Sequence, residues 1–457
     1  MATTKTRDVP AGRVKELIGA EEERFRKARP RSHKLWTEAQ AVLPRGVPSS
    51  FQDAAPHPIF VERGHGSRVW DVDGHEYVDF HNGFGVMVVG HAHPLVVKAI
   101  AERAAKGTHF AQPVGDDIVV AKDLARRFRQ PQWRFTNSGT ESTLDAVRIA
   151  RGFTGRNRIV KIEATYHGHH DALMVSVEPK PDKMGPADSP ASVPQTEGIP
   201  PEVTNLTSVI AFNNLEQLEG VFKRYPNEIA ALIVEPVMMN LGMVLPDEGY
   251  LARAKEVAHA NGALLIFDEV KTGCTLTAGG ATERFGVVPD LVTLAKAIGG
   301  GVPCGAVGGR ADVMAMIDED RVAQYGTFNG NPLTMAAARA TLIDILTPQA
   351  YAHFDALSEV LGGGLREVIG EYELPFHVIA IGARGGVTYR KERVRNYRDY
   401  LTIDKSWAYA SWLYQCNRGV LMAPFAEENW TLSVQHSEAD VQRYVDNFRE
   451  LAKALRA

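Results

Sequence analysis

The chain has 457 residues, of which 44% are hydrophobic and 23% are charged, and its formal net charge at pH 7 is −4. This composition is typical of a globular protein with a large core, and the small negative charge argues against nucleic acid as a partner. No apolar run approaches the roughly 20 residues that cross a bilayer, so we expect no membrane partner. The first residues lack the apolar segment of a secretory signal and the three cysteines are widely spaced, which predicts a cytoplasmic protein without a disulfide framework.

The pattern along the chain predicts three segments. Residues 1–90 are predicted to form a charged helical arm and a small antiparallel meander, because apolar and polar residues alternate around an Asp-Gly turn. Residues 91–345 contain short apolar runs separated by helical patterns, which indicates a large domain with a mostly parallel α/β sheet. Residues 346–457 are mixed, and we expect them to form a smaller α+β domain together with the first segment.

The run ALLIFDEV ends with Asp268 and Glu269, where a buried strand is predicted to end. Ligands of parallel sheets bind at the carboxyl ends of the strands. An acid in this place can cap a helix or pair with a surface lysine. It can also keep the nitrogen of a pyridinium ring protonated, so that the ring withdraws electrons.

The segment FTNSGTES contains a predicted helix start. Ser138 and Glu141 have the S-x-x-E spacing of a capping box. The same helix start, through Ser138, Gly139 and Thr140, presents backbone N–H groups and the positive end of the helix dipole, which suits a phosphate group. The motif alone does not separate a capped helix from a phosphate site.

The segment ATYHGHHD places Tyr166 and three histidines directly after another predicted strand. Metal binding is not favoured, because no second group of ligands follows at the usual spacing. A turn at Gly168 and an aromatic ring over a flat ligand are the remaining interpretations. Tyr166 is the candidate for that ring.

Lys296 follows the apolar run DLVTLA and precedes three glycines and Pro303, where no regular helix can continue. A lysine on a helix usually lays its stem on apolar neighbours and keeps its head in water. In a partly dry pocket its amine instead loses solvation, and the neutral form can make a Schiff base with a carbonyl. The glycines would let the backbone approach a bulky ligand. Four features together predict that the cofactor is pyridoxal phosphate. They are a helix start for the phosphate, an aromatic ring, an acid at the end of a strand and a partly buried lysine.

These residues resemble the class III aminotransferases, and most closely the branch that contains glutamate-1-semialdehyde aminomutase and the β-phenylalanine aminotransferases. The resemblance runs from about residue 35 to the C-terminus and is carried by GSRVWDVDGHEYVDF, FTNSGTES, YHGHHD, FDEV, PDLVTLAKAIGGG and GTFNGNPLTM. It implies a fold-type I architecture, with a seven-stranded, mostly parallel sheet in the large domain. It also implies pyridoxal 5'-phosphate as cofactor and a homodimer with active sites at the subunit interface.

The resemblance assigns roles to particular residues. Lys296 corresponds to the Schiff-base lysine that moves the proton, and Asp268 corresponds to the partner of the pyridine nitrogen. For the phosphate, the resemblance implies Ser138, Gly139 and Thr140, together with Thr327 donated by the other subunit. For the cofactor ring, it implies Tyr166 as the stacking residue, with His167 next to it, and Val270 on the opposite face. Glu235 and Asn240 are implied to organise the phenolic edge of the cofactor.

The implied activity is a ping-pong transfer of an amino group from an amine or (β-)amino acid to a keto acid or aldehyde. The alternative is glutamate-1-semialdehyde 2,1-aminomutase, in which both half-reactions occur on one molecule. Gln52 stands where the aminomutase carries an arginine for the substrate carboxylate, and Cys274-Thr275 replaces the usual Phe-Arg. Because a bidentate arginine is the preferred carboxylate partner, these departures weaken the aminomutase interpretation. Arg384 and Arg398 are the candidates for a replacement.

Overall fold

The structure is a computed structural model that describes residues 11–423 and 429–456. Within this range no helix has the length and apolar character needed to span a membrane. The chain divides into two compact units. The first unit consists of the described residues up to His93, of Ala352–Arg393 and of the described residues from Ile403 onward, and the second consists of Pro94–Tyr351 and Val394–Thr402.

The N-terminal part of the chain forms two helices, a strand meander and a short helical turn. These elements are α1 (Ala11–Ala28), α2 (Pro30–Ala39), β1 (Val61–His65), β2 (Arg68–Asp71), β3 (Glu76–Asp79) and α3 (Asn82–Gly85). Two 3₁₀ turns, Pro44–Gly46 and Ser50–Gln52, lie between the second helix and the first strand.

The central part of the chain alternates strands and helices. Its elements are α4 (Pro94–Ala104), α5 (Gly115–Phe128), β4 (Gln132–Thr136), α6 (Gly139–Thr154), β5 (Arg158–Ile162), α7 (Pro201–Thr204), β6 (Thr207–Ile210), α8 (Leu215–Arg224), β7 (Ile229–Val234), α9 (Tyr250–Ala260), β8 (Leu264–Asp268), α10 (Gly280–Phe285), β9 (Leu291–Ala295), β10 (Gly305–Gly309), α11 (Ala311–Asp318) and α12 (Pro332–Arg339). A 3₁₀ turn covers Lys296–Gly299, and a π-helical turn covers Ala340–Ile345.

The C-terminal part of the chain is mixed, as its sequence pattern predicts. Its elements are α13 (Pro348–Glu371), β11 (His377–Ile381), β12 (Arg384–Thr388), α14 (Tyr397–Tyr400), α15 (Lys405–Cys416), β13 (Val420–Leu421), β14 (Trp430–Thr431) and α16 (Glu438–Arg456).

The first unit contains two small sheets. One has the strand order β1-β2-β3-β13, and the other has the order β11-β12-β14. The neighbours β1, β2 and β3 are antiparallel, as predicted for the meander, whereas β13 joins β3 in parallel. Both ends of the chain therefore contribute strands to one sheet. Phe25, Tyr77 and Trp412 are among the side chains of this unit's apolar cluster.

The second unit is built on a seven-stranded sheet of order β4-β10-β9-β8-β7-β5-β6. All neighbours from β9 to β6 are parallel, and only β10 runs antiparallel to both strands beside it. The predicted mostly parallel, seven-stranded sheet is confirmed. Because β10 opposes both β4 and β9, these two strands run in the same direction. The carboxyl ends of β4, β5, β7, β8 and β9 therefore lie along one edge.

The strands at the middle of this sheet are buried along their whole length. Every residue of β7 (IAALIV), β8 (LLIFD) and β9 (LVTLA) is buried. Strands that are covered on both faces require continuous apolar runs instead of alternation, and these runs are the ones visible in the sequence. Helix α6 packs into the same core through Val147, Ile149 and Ala150.

Candidate active site

Polar residues follow five strands of the seven-stranded sheet at the edge where the carboxyl ends meet. Ser138 follows β4, Tyr166 and His167 follow β5, Glu235 follows β7, Asp268 ends β8, and Lys296 follows β9. Parallel sheets bind ligands at this edge. The topology thus brings together candidate residues that are far apart in the sequence.

The Asp268 carboxylate is held at both of its oxygens. Its Oδ2 lies 2.7 Å from Nδ1 of His167. Its Oδ1 accepts hydrogen bonds from the Val270 N–H at 3.0 Å and from the Thr293 hydroxyl at 3.4 Å. Because Asp268 is only 4% exposed, these donors fix the orientation of a buried acid. Thr293 was not predicted from the sequence, since only the pairing of β8 with β9 places it there.

His167 is buried next to this acid. A carboxylate only accepts hydrogen bonds, so the short contact with Asp268 places the ring proton on Nδ1. The backbone carbonyl of His167 accepts from the Thr143 hydroxyl at 2.5 Å. Its Nε2 is buried and has no hydrogen-bond partner among the described residues.

Helix α6 begins directly after β4, and its first turn is capped in part. Ser138 Oγ accepts from the Glu141 N–H at 3.2 Å, as the capping pattern predicts. The Glu141 carboxylate instead accepts from the Asn137 N–H at 2.6 Å, so the capping box is not reciprocal. Within residues 11–423 and 429–456, nothing accepts a hydrogen bond from the N–H groups of Gly139 and Thr140, as expected for a helix start. The capped-helix interpretation therefore applies to the Glu141 N–H, and the phosphate interpretation applies to the N–H groups of Gly139 and Thr140.

The turn between β4 and α6 packs closely against the ends of two neighbouring strands. A methyl group on Gly139 would lie 3.0 Å from both terminal methyl carbons of Val270 and 3.6 Å from Cβ of Ala295. A larger residue here would require the Val270 side chain to shift. The free N–H groups of the helix are thereby held beside the residues that adjoin Asp268 and Lys296.

Tyr166, Glu235 and Asn240 form one hydrogen-bonded group. The Tyr166 N–H and the Asn240 side-chain amide donate to Glu235 Oε1 at 2.9 and 3.0 Å. The Met239 N–H donates to Glu235 Oε2 at 3.2 Å. Burial raises the pKa of the Tyr166 phenol and of the Glu235 carboxyl above their ordinary values. Tyr166 and Asn240, which come from two different segments, are thus both hydrogen-bonded to Glu235.

The histidine segment turns at Gly168 and contacts the start of α6. Gly168 has a φ of +90°, and a methyl group on it would lie 2.6 Å from the Thr140 Cα. The backbone N–H and the Nδ1 of His169 lie 3.3 and 3.1 Å from the Thr140 hydroxyl. In the part of the chain that the structure describes, no group of three or more His, Cys, Asp or Glu residues is placed to hold a metal ion.

Lys296 is half-buried and lies where β9 changes into a 3₁₀ turn. Its φ of +50° is in the left-handed region, which is strained for a residue with a Cβ and is found at functional sites. The first two glycines that follow, Gly299 and Gly300, pack closely against other parts of the chain. A methyl group on Gly300 would lie 2.3 Å from the Thr341 hydroxyl oxygen. Close approach of the backbone to Thr341 therefore explains Gly300 without a ligand.

Thr327 lies in an exposed loop between α11 and α12. Its neighbours Tyr325 and Phe328 are 87% and 59% exposed. The same loop contacts the turn before α6, because Asn329 Oδ1 accepts a hydrogen bond from the Asn137 side-chain amide at 3.0 Å. In the single chain Thr327 itself remains exposed.

The two arginines considered for a substrate carboxylate have partners within the chain. Arg398 donates to both carboxylate oxygens of Glu163, at 3.0 and 2.7 Å, and to the carbonyls of residues 184–185. Arg384 is 1% exposed and donates to the Thr431 hydroxyl at 2.5 Å. Arg398 therefore forms a structural ion pair, and Arg384 is enclosed within the first unit.

Comparison with known proteins agrees with this geometry. Residues 50–431 match the family described as Aminotransferase class-III. Glutamate-1-semialdehyde 2,1-aminomutase from Aquifex aeolicus (strain VF5) is 38% identical over 430 residues, which is 93% of this chain and 100% of that protein. A variant of the glutamate-1-semialdehyde aminomutase from Pseudomonas aeruginosa PAO1 in complex with PMP has a TM-score of 0.89 at 31% identity, covering 98% of this chain and 99% of that chain. A β-phenylalanine aminotransferase from Variovorax paradoxus has a TM-score of 0.86 at 30% identity, covering 96% and 97%.

The site has the groups that pyridoxal phosphate requires. The free N–H groups at the start of α6 suit a phosphate, the buried Asp268 carboxylate suits a ring nitrogen, and Lys296 provides an amine at the same sheet edge. The match over most of the chain and these groups lead to one assignment. The chain belongs to the class III aminotransferases, which are fold-type I enzymes that depend on pyridoxal phosphate.

Proposed function

We propose that the enzyme is an intermolecular transaminase, which moves an amino group from an amine or (β-)amino acid to a keto acid or aldehyde. When bound, pyridoxal phosphate supplies an aldehyde and an electron-withdrawing ring. Lys296 holds the cofactor through its amine and moves a proton at Nζ between the two carbons that react. Its place after β9, at the edge where ligands of parallel sheets bind, supports this role.

Asp268 orients the cofactor ring and keeps its nitrogen protonated. The carboxylate suits this task because it is buried and its orientation is fixed by His167, Val270 and Thr293. His167 acts through Asp268 and fixes its position. A negative group that is oriented in advance stabilises a positive ring at no cost of reorganisation during the reaction.

The start of α6 holds the phosphate in this proposal. The N–H groups of Gly139 and Thr140 donate to it, and Ser138 shapes the turn. The helix dipole adds a favourable interaction with the negative charge.

Tyr166 and Val270 would hold the cofactor ring from its two opposite faces. The hydrogen bond from the Tyr166 backbone to Glu235 supports a fixed position for the aromatic ring. Glu235 and Asn240 organise the phenolic edge of the cofactor. Their mutual hydrogen bond at 3.0 Å keeps the two side chains together.

We propose a homodimer in which Thr327 binds the phosphate in the site of the other subunit. Two large aromatic side chains beside it, Tyr325 and Phe328, are exposed in the single chain. A further aromatic contact, between Phe328 and His109 at 5.1 Å, extends this surface. Exposed apolar patches of this kind usually mark protein interfaces. The free and buried state of all three cysteines fits the cytoplasmic location that we propose.

Gln52 is the observation that supports an intermolecular transaminase. It ends an exposed 3₁₀ turn at the position where the aminomutase pattern has a carboxylate-binding arginine. A neutral amide cannot form the bidentate ion pair that an arginine forms with a carboxylate. The substrate is therefore proposed to need no guanidinium at this position.

The second candidate is glutamate-1-semialdehyde 2,1-aminomutase. The curated relatives from Aquifex, Sulfurihydrogenibium and Bacillus, at 38–39% identity, are all aminomutases, so overall similarity favours this candidate more than the transaminase. Gln52 is the observation against it.

One assay separates the two candidates. The holoenzyme is incubated with a panel of amines and β-amino acids, with and without pyruvate as acceptor, and separately with glutamate-1-semialdehyde alone. A transaminase forms alanine only when donor and pyruvate are both present, whereas an aminomutase converts glutamate-1-semialdehyde without any acceptor. Absence of both reactions in a preparation that contains cofactor would contradict the proposal.

A further inference from the structure

Lys161 is a second lysine inside an apolar run, and its side chain is completely buried. It lies in β5, within the sequence RIVKIEAT, and is 0% exposed. Its Nζ donates hydrogen bonds to the carbonyl of Thr165 at 2.9 Å and to the carbonyl of Val175 at 2.6 Å. A buried ammonium is costly unless it is hydrogen-bonded, so these two contacts account for its position.

The two carbonyls belong to opposite ends of one loop, which we define as the 164–176 loop. The Ala164 N–H donates to the Ser176 carbonyl at 2.8 Å and closes the loop at its base. Both residues have left-handed backbones, with φ of +64° for Ala164 and +48° for Ser176. Such strain persists only where surrounding contacts enforce it. Lys161 joins the next pair of residues along the loop, Thr165 and Val175.

The 164–176 loop carries the residues that contact the cofactor site from the β5 side. Tyr166 donates from its backbone to Glu235, and His167 contacts Asp268 at 2.7 Å. His169 contacts the Thr140 hydroxyl at the start of α6. The hydrogen bonds at the base of the loop therefore help to set the positions of these side chains.

We infer that Lys161 is a positioning residue, whose amine fastens the two ends of the 164–176 loop and so holds Tyr166 and His167 in place for the cofactor. The inference rests on the proposed roles of Tyr166 and His167. It goes beyond them by naming a group that touches neither the cofactor nor the substrate.

The charges around Lys161 support this role. Glu163 and Glu235 are the acidic groups that favour its protonated form, and Arg398 is paired with Glu163. Burial nevertheless lowers the pKa of Lys161 to about 7. A neutral amine keeps two N–H groups, which is the number needed for two carbonyls. Lys161 therefore keeps enough N–H groups for both hydrogen bonds when its amine is neutral.

The test compares Lys161→Met with Lys255→Met. Methionine keeps the apolar stem and removes both hydrogen bonds. Lys255 is a matched control in the same unit, because its Nζ also donates to a backbone carbonyl, that of Val288 at 2.8 Å. Hydrogen exchange is measured by mass spectrometry on the cofactor-free proteins, in peptides from the 164–176 loop and from β7. The dissociation constant of pyridoxal phosphate is then measured by absorbance titration.

We expect Lys161→Met to exchange at least about tenfold faster in the 164–176 loop, with β7 unchanged. We also expect its dissociation constant for pyridoxal phosphate to rise about tenfold or more, which corresponds to about 1.4 kcal/mol. Lys255→Met should show neither effect. Unchanged exchange in the loop, or equally faster exchange in β7, would overturn the inference.

Two further outcomes are also decisive. Faster loop exchange with an unchanged dissociation constant would show that the loop does not position the cofactor, although wild-type transaminase activity would still stand. If Lys161→Met does not fold, Lys161→Gln, whose shorter amide reaches at most one carbonyl, replaces it with the same expectations. If neither variant folds, Lys161 is a structural residue and the positioning role is wrong.

Discussion

His167 Nδ1 and Asp268 Oδ2 lie 2.7 Å apart, and this contact connects the loop after β5 with the end of β8. A second pair, His259 Nε2 with Asp290 Oδ2 at 2.8 Å, involves the residue that precedes β9, but its histidine is 38% exposed. Both acids are nearly inaccessible to solvent. Of these two pairs, only His167–Asp268 has both side chains buried and lies among the candidate active-site residues.

We expect Asp268→Asn to lower kcat at least about a hundredfold, the loss typical for removal of one preorganised electrostatic group. An amide cannot keep the ring nitrogen protonated. Asp290→Asn is the matched control and should retain the specific activity of the folded enzyme. Steady-state kinetics with the best donor checks both variants, and equal losses in the two would contradict the role of Asp268.

We expect Lys296→Ala to have no measurable turnover, because no other amine would then hold the cofactor and move the proton. Reduction with borohydride followed by mass spectrometry of the denatured protein should show added cofactor mass for the wild type and none for the variant. Lys255→Met should behave as the wild type does. Covalent attachment that persists in Lys296→Ala would show that another lysine is used.

We expect Gly168→Ala to weaken both cofactor binding and stability. Gly198 has the same φ of +90° but no atom within 4 Å of the added methyl group, whereas at Gly168 that group would lie 2.6 Å from the Thr140 Cα. Backbone strain is therefore common to both variants, and the steric overlap is specific to Gly168. The free energy of unfolding should fall by about 1–3 kcal/mol more in Gly168→Ala than in Gly198→Ala. Equal values from urea titrations would mean that the contact with Thr140 is easily relieved.

We also expect the free energy of unfolding to depend on pH because of Lys161. Its pKa is lowered from 10.5 to about 7 by burial, so between these values the unfolded chain binds more protons than the folded chain does. The free energy of unfolding therefore gains a contribution that rises with pH from about 7 to about 10.5 and is constant outside this window. The difference in free energy of unfolding between wild type and Lys161→Met should rise across this range. A difference that does not change with pH would show that the pKa of Lys161 is not lowered.

We expect Phe328→Asp to weaken the proposed dimer. Burial of an exposed aromatic side chain at the centre of an interface commonly contributes about 2 kcal/mol or more, and a carboxylate there would be desolvated as well. Sedimentation velocity at several protein concentrations measures the change. Val360→Asp, an exposed apolar position in α13, should leave the association unchanged. A wild-type distribution for Phe328→Asp would place the interface elsewhere.

Much of the fold was accessible from local patterns. The uninterrupted apolar runs of β7, β8 and β9 predicted buried strands, and the alternation around the Asp-Gly turn predicted the β2–β3 hairpin. The order of the strands was not accessible from these patterns, because backbone pairing between distant segments leaves no periodic signal in either of them. Thr293 illustrates the limit, since its contact with Asp268 depends on the pairing of β8 with β9.

Lys161 and Lys296 show most clearly what the sequence determined and what only the tertiary structure decided. In the sequence, Lys161 lies within the apolar run RIVKIEAT and Lys296 directly follows the apolar run DLVTLA. Only the tertiary structure decided the surroundings of each lysine. Lys161 lies within β5 with its amine on two loop carbonyls, while Lys296 lies past the end of β9 in a strained turn. The physical reason is that burial and hydrogen-bond partners come from segments distant in sequence, whereas apolar character belongs to each segment alone.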